Sequence, residues 1–156
     1  MNSYNGYEPK ERMAALNWLK KEWAKGTRQK TPHECDICTQ DEGYLAYHSE
    51  DYSFPYGDHI GRFGLCYICH MMLHCRYKSS DVMATYIKAL EKNVCFDPIH
   101  GNGWQEFRAS CLVSKFKTRG YKIVKFNNVE LYKEMINGNY ITESKESYKP
   151  PVGSLF

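Results

Sequence analysis

Apolar side chains recur at helical spacing near the start of the chain, at Met13, Leu16, Leu19 and Trp23. This spacing places the four side chains on one face of a helix. The segment Glu8-Pro9-Lys10 opens the pattern, and Gly26 suits the position just after a last helical turn. The sequence therefore predicts an amphipathic helix over residues 8–26.

Later segments alternate between helical and extended patterns. One helix is predicted from about Tyr67, and another over residues 82–92 behind a cap at Ser80-Asp81. A short strand is predicted at 43–48. Two further strands, at 112–116 and 121–126, are joined by a turn at Arg119-Gly120. The predicted fold class is α+β, with helices that flank a small core and with a C-terminal β-hairpin.

The composition is that of a globular protein, because 42% of the 156 residues are hydrophobic and 25% are charged. This length suits a single domain over 1–156, with the helix at 8–26, a core at 35–78, basic strands at 108–142 and a tail at 143–156. No apolar run is long enough to cross a bilayer, and the polar start is unlike a secretory signal. We therefore expect a cytoplasmic protein without membrane contact, whose cysteines stay reduced.

Two Cys-x-x-Cys pairs are the strongest chemical signal in the chain: Cys35 with Cys38, and Cys66 with Cys69. Each such turn places two thiolates on one side of a zinc ion, and 27 residues separate the two pairs. Together the pairs supply the four ligands of a tetrahedral, structural zinc site. The alternative is redox chemistry, which needs two thiols that exchange with each other and are not held as thiolates on a metal.

Basic residues are concentrated towards the end of the chain, although the net charge is only +3. The stretch 107–129 contains six of them and no acidic residue, which is typical of a face that contacts phosphates. The alternative is a solvated strand face with alternating lysines. The candidate nucleic-acid contacts are Arg62, Arg76, Lys78, Lys115, Lys117, Arg119, Lys122 and Lys125.

The segment between and after the cysteine pairs has a recognisable order. Tyr47-His48-Ser49-Glu50-Asp51-Tyr52-Ser53-Phe54-Pro55 ends the predicted strand, and the second pair continues into His70, with His74 one helical turn further. A histidine at a strand end, a loop and a helix that carries histidines resemble the HNH (ββα-metal) nuclease family, in particular its small zinc-bearing members from bacteria and their phages. The resemblance covers residues 35–78 and implies a zinc-stabilised ββα-metal core.

The same resemblance implies a DNA endonuclease that depends on a divalent metal. His48 would be the general base that takes a proton from the attacking water. His70 would bind the catalytic magnesium or manganese ion, and His74 would be a second ligand or a phosphate contact. Arg76 and Lys78 would then lie near the DNA backbone.

Two positions differ from the usual motif of the family. Tyr47 precedes the predicted base, where the family has a metal-binding acidic residue or histidine, and Gly61 stands near the place of the motif's asparagine. Glu50 or Asp51 is an alternative oxygen ligand. These differences favour a second hypothesis, in which a catalytically inactive zinc module binds nucleic acid or a host protein.

Overall fold

The computed structural model describes residues 1–78, 80–100 and 121–138. The chain divides into two compact units. The N-terminal unit comprises Met1–Lys30 and His48–Arg62, with Gly138 from the later part of the chain. The cysteine unit comprises Thr31–Tyr47 and the described residues of Phe63–Asn137. The tail predicted at 143–156 and the strand predicted at 112–116 lie outside the described residues.

The described residues form helices and strands in mixed order, which confirms the α+β class. In chain order these elements are α1 (Pro9–Lys25), β1 (Leu45–His48), β2 (Phe63–Cys66), α2 (Tyr67–Cys75), α3 (Ser80–Glu91), β3 (Val94–Phe96), β4 (Tyr121–Ile123) and α4 (Val129–Ile136). Strand β1 pairs with β2 in one sheet, and β3 pairs with β4 in another. Within the described ranges, no helix is both long enough and apolar enough to span a bilayer.

Helix α1 confirms the first predicted helix and dominates the N-terminal unit. The backbone N–H of Glu8 donates to the side chain of Glu11 at 2.6 Å, which closes the first turn. Gly26 ends the helix in the left-handed region, with φ of 76°. The buried face of α1 packs Ala15 and Leu19 against Ile60. Of the four predicted apolar positions, Leu19 is buried, and Met13, Leu16 and Trp23 are half-buried.

Helices α2 and α3 are also confirmed, and α3 begins two residues earlier than predicted. Helix α4 was not predicted, because residues 129–136 lie in the range assigned to basic C-terminal strands. Its sequence signal is Asn128, whose side chain accepts a hydrogen bond from the N–H of Leu131 and so caps the helix. Tyr132 and Met135, three residues apart, form its buried face.

The last strand pairs with β3, whereas the predicted partner was the strand at 112–116. Strand β4 is shorter than predicted and runs antiparallel to β3, with Val94 opposite Ile123 and Phe96 opposite Tyr121. Strand β3 was not predicted, and it follows α3 closely in the chain. The β3–β4 pair therefore places Tyr121–Ile123 beside the strand that follows α3.

Strand β2 depends on a glycine at its centre. A β-carbon on Gly64 would lie 2.7 Å from the Cβ of Pro32 and 3.2 Å from the carbonyl oxygen of Glu34. The Gly64 N–H also donates to Asp36 Oδ2, and the Asp36 N–H donates to the Gly64 carbonyl, both at 2.7 Å. The missing side chain therefore allows β2 to lie directly on the turn that carries the first cysteine pair.

We expect Gly64→Ala to lower the free energy of unfolding by about 1–3 kcal/mol, because the new methyl group overlaps Pro32. Urea denaturation of the zinc-loaded protein measures the change. The matched control is Gly57→Ala, since the nearest atom to a β-carbon there is 3.9 Å away. Equal stability of the two variants would show that the close approach of β2 to this turn is wrong.

Candidate metal centre

The four predicted zinc ligands meet in one place inside the cysteine unit. Their sulfur atoms all lie within 4.8 Å of one another, and the four residues are at most 6% exposed. The Cys38 and Cys66 sulfurs are 3.6 Å apart, whereas two sulfurs bound at the tetrahedral angle to one zinc ion would be about 3.8 Å apart. The donor set and spacing therefore fit a closed, tetrahedral Cys₄ zinc site.

Local structure places each pair of ligands on the same side of the site. The first pair lies on a turn closed by the N–H of Cys35, which donates to the Gln40 carbonyl at 2.8 Å. Thr39 takes a positive φ of 64° within this turn. In the second pair, Cys66 ends β2 and caps α2, where its sulfur accepts the Cys69 N–H at 3.4 Å. One ligand of each pair is thus fixed by backbone hydrogen bonds.

The burial and the close spacing of the four thiols favour a bound cation. Burial, reinforced by the neighbouring thiols, raises the pKa of Cys69 well above its usual range. Burial also opposes ionisation of Cys35, but hydrogen bonds from Cys38, Cys66 and Cys69 outweigh it and hold the pKa of Cys35 well below its usual range. A buried cluster of this kind supports one thiolate readily, and a divalent ion supplies the charge that lets the others ionise.

Two buried tyrosines contact Cys69, the second cysteine of the second pair. The Tyr86 hydroxyl of α3 lies 3.1 Å from the Cys69 sulfur, and the Tyr132 hydroxyl of α4 donates to the Cys69 carbonyl at 2.6 Å. A metal-bound thiolate only accepts hydrogen bonds, so Tyr86 is the donor when zinc is bound. Helices α3 and α4 are therefore tied to the metal centre through the same cysteine.

Helix α2 brings two of the predicted catalytic histidines together. His70 follows the predicted zinc ligand Cys69 directly, and its Nε2 lies 3.1 Å from the Nε2 of His74. Two nitrogens bound to one ion at about 2.1 Å would be about 3.0 Å apart at a right angle and about 3.4 Å apart at the tetrahedral angle. Both imidazoles are only half-buried, so this pair has the spacing and the access of a two-nitrogen metal site.

His48, the predicted general base, is buried. It is 2% exposed, and its Nε2 lies 3.3 Å from the Tyr4 hydroxyl and 3.6 Å from Glu50 Oε2. The Tyr4 ring also meets the imidazole edge-on, at 5.6 Å between centroids. A carboxylate beside an imidazole stabilises its protonated form. Tyr4 and Glu50 therefore both orient His48 through its Nε2 atom.

A tight turn near the start of the chain supplies these contacts. Asn5 and Gly6 both have positive φ, and Tyr4 and Tyr7 exchange backbone hydrogen bonds at 3.0 and 2.9 Å. The Asn5 side chain then donates to both the carbonyl and the carboxylate of Glu50. This turn was not predicted, although Asn-Gly is a strong turn signal.

Asp51 has a structural role next to this turn. Its Oδ1 accepts the Tyr7 hydroxyl at 2.7 Å and the Ser53 N–H, two residues on, at 2.9 Å. Burial, together with the bond to Asp51, raises the pKa of Tyr7, so that the tyrosine stays a donor. One oxygen of Asp51 is thus used within the protein, as expected for an Asx-type turn.

The predicted nucleic-acid contacts are placed unequally. Arg62, Lys78, Lys122 and Lys125 are exposed. Arg76 is buried, and its Nη2 donates to the Tyr77 hydroxyl at 2.8 Å. The remaining three predicted contacts lie outside the described residues: Lys115, Lys117 and Arg119.

Comparisons with protein-family models, with curated proteins and with solved structures find no match to this chain.

We expect Cys35→Ser to remove zinc and, with it, most of the stability of the cysteine unit. The reason is that metal binding contributes about 10–16 kcal/mol to the folding of small structural zinc sites. The matched control is Cys75→Ser, which changes a half-buried cysteine outside the cluster. Zinc content by elemental analysis and folding by circular dichroism are the readouts. Zinc retained at wild-type level in Cys35→Ser would contradict the four-cysteine site.

Tyr86→Phe should keep the fold but lower zinc affinity by about 10- to 100-fold, since it removes the hydroxyl that donates to Cys69. Competition with a chromogenic chelator measures the affinity. Tyr121→Phe, which removes an exposed hydroxyl from the same unit, is the control and should change nothing. Equal affinities in the two variants would mean that the Tyr86 hydroxyl does not act on the metal site.

Proposed function

We propose that this protein is a zinc-stabilised nuclease that hydrolyses phosphodiester bonds with the help of a second, divalent metal ion. The observation that carries the proposal is the position of the His70–His74 pair, which begins at the residue next to a zinc ligand. A structural ion that fixes the first turn of α2 also fixes these imidazoles. Rigid support of this kind is what a catalytic metal site requires.

His70 and His74 bind the second ion in this proposal. A magnesium or manganese ion held there would neutralise charge on the scissile phosphate and on the leaving oxygen. The 3.1 Å between the two Nε2 atoms allows both to bind one ion. Ligands beyond these two would come from water and from phosphate oxygens, as is usual for magnesium.

His48 takes a proton from the attacking water, as the HNH resemblance implies. Imidazole suits this task because its unperturbed pKa lies near neutrality. The Glu50 carboxylate, 3.6 Å from Nε2, favours the imidazolium that forms when His48 accepts the proton. Since Nε2 faces Glu50 and Tyr4, the proposal assigns the incoming proton to Nδ1. The chain order of β1, β2 and α2 supports the ββα-metal assignment, which remains part of this proposal.

A second function is favoured by the enclosure of His48. A general base must reach water, yet this imidazole is 2% exposed and contacts two side chains of its own unit. The same contacts suit a histidine that only stabilises the loop after β1. The alternative is therefore a zinc module without catalysis, which binds nucleic acid or a partner protein through the same scaffold.

Cleavage of supercoiled plasmid and of single-stranded DNA separates the two functions. The zinc-loaded protein should cut in magnesium or manganese and not in their absence. His48→Ala should lower the rate by about 10²- to 10⁴-fold, the usual contribution of a general base. The double variant His70→Ala/His74→Ala should lose activity and the second metal ion while it retains zinc.

The control for these variants is His33→Ala, which changes an exposed histidine and should cut like the wild type. Absence of cleavage on every substrate, from protein with full zinc content, would exclude the nuclease and leave the binding module. Cleavage that is equal in wild type and all variants would assign the activity to a contaminant.

A further inference from the structure

The cysteine unit has a second concave surface, formed by α3 and the β3–β4 sheet. It is an open groove of about 400 Å³. Ala89 of α3 and Val94 and Phe96 of β3 give it an apolar floor, and Tyr121 of β4 lines it as well. None of these residues belongs to the zinc site or to the His70–His74 pair.

Large apolar side chains are exposed in β4 and just after it. Tyr121 is 62% exposed, Ile123 77% and Phe126 70%. Single exposed apolar residues are ordinary on protein surfaces, but three of them within six residues form a patch that marks a binding surface. Phe96 stacks on Tyr86 at 5.7 Å, so the floor of the groove is anchored to the core of the unit.

Positive charge lies beside these apolar residues. Lys88, in the last turn of α3, and Lys92, the residue after its end, line the groove, which has no acidic lining residue in the described chain. Lys122 lies opposite Cys95 in the sheet and is not among the residues that line the groove. The Lys125 ammonium lies 5.4 Å from the centre of the exposed Phe126 ring. Glu91, near the end of α3, is neutralised by Lys133 at 3.0 Å. The charge of this surface therefore favours an anionic partner.

We propose that the groove between α3 and the β3–β4 sheet binds single-stranded nucleic acid. Aromatic rings interleaved with lysines are the usual means of holding an unpaired strand, because bases stack on the rings and phosphates pair with the ammonium groups. The bases of a duplex are already stacked on each other and present no free face. Tyr121 stacks a base, while Lys88 and Lys92 hold the flanking phosphates.

An acidic peptide would satisfy the lysines but would leave the exposed rings without a stacking partner. The segment 101–120, which joins the two strands, carries four basic residues and one acidic residue, so its own charge has the same sign as that of the groove. Both points favour a nucleic-acid strand as the occupant. The proposal names a substrate for the proposed nuclease. Strand binding itself does not depend on the nuclease function, and only the statement that the bound strand is cut rests on it.

Fluorescence anisotropy of labelled oligonucleotides tests the groove with the full-length, zinc-loaded protein. The probes are oligo(dT), oligo(rU) and a DNA duplex, without added magnesium or manganese. We expect the single strands to bind more tightly than the duplex. The double variant Lys88→Gln/Lys92→Gln should weaken oligo(dT) binding by about tenfold and reduce the magnitude of the salt slope, log K against log salt, by about 1.4, which corresponds to two lost phosphate contacts. Tyr121→Ala should also weaken binding by about tenfold.

The control Lys10→Gln/Lys20→Gln removes two exposed lysines of α1 and should leave the affinity unchanged. Groove variants that bind like the wild type would overturn the proposal, as would equal affinity for the duplex or for a polyglutamate peptide. The lysine double variant changes only exposed side chains, so it answers the question even if Tyr121→Ala fails to fold. Because these probes are offered without magnesium or manganese, binding is measured independently of cleavage, which separates failure of cleavage from failure of the groove.

Discussion

Four thiolates inside one protein cannot be buried together without a cation. This constraint governs the cysteine unit, because its ligands come from a turn, from the end of β2 and from the first turn of α2. The same site also reaches α3 through the Tyr86 hydroxyl and α4 through Tyr132. With zinc bound, one ion organises a small unit that has few long elements, as a larger core would otherwise do.

The position of the His70–His74 pair depends on the same four cysteines, because two of them begin α2. Cys66 caps α2 and Cys69 lies in its first turn, so the orientation of the helix is set before His70 and His74 are reached. Their 3.1 Å separation is possible because residues four apart lie on the same face of one helix. The predicted zinc site and the proposed catalytic site therefore have separate roles, but both use residues of α2.

Much of this could be predicted from sequence, because its causes are local. Three features are each visible within a few residues: the cysteine spacing, the helical pattern of α1 and the glycine that ends this helix. Strands β2 and β3 were missed because their stability comes from distant partners: Gly64 bonds to Asp36, and β3 pairs with β4 some 24 residues later in the chain. Long-range contacts of this kind leave no periodic signal in three- or four-residue strands.

The missed parts of the candidate site have a similar explanation. Helix α4 was visible in the Asn128 cap, and the Tyr4–Tyr7 turn in the Asn-Gly pair, so both were open to prediction as elements. The contacts that these elements make could not be predicted, because nothing in the local sequence connects Tyr132 to Cys69 or Tyr4 to His48. Buried polar groups find their partners through the tertiary fold, and the pairing appears only with the structure.

X-ray absorption at the zinc edge tests the central claim most directly, because it counts the atoms bound to the metal. A closed Cys₄ site predicts four sulfur neighbours at about 2.3 Å and no nitrogen shell. A spectrum with nitrogen neighbours at about 2.0 Å would mean that a histidine replaces a cysteine on the structural ion. That result would contradict the account, since the His70–His74 pair would then belong to the zinc site.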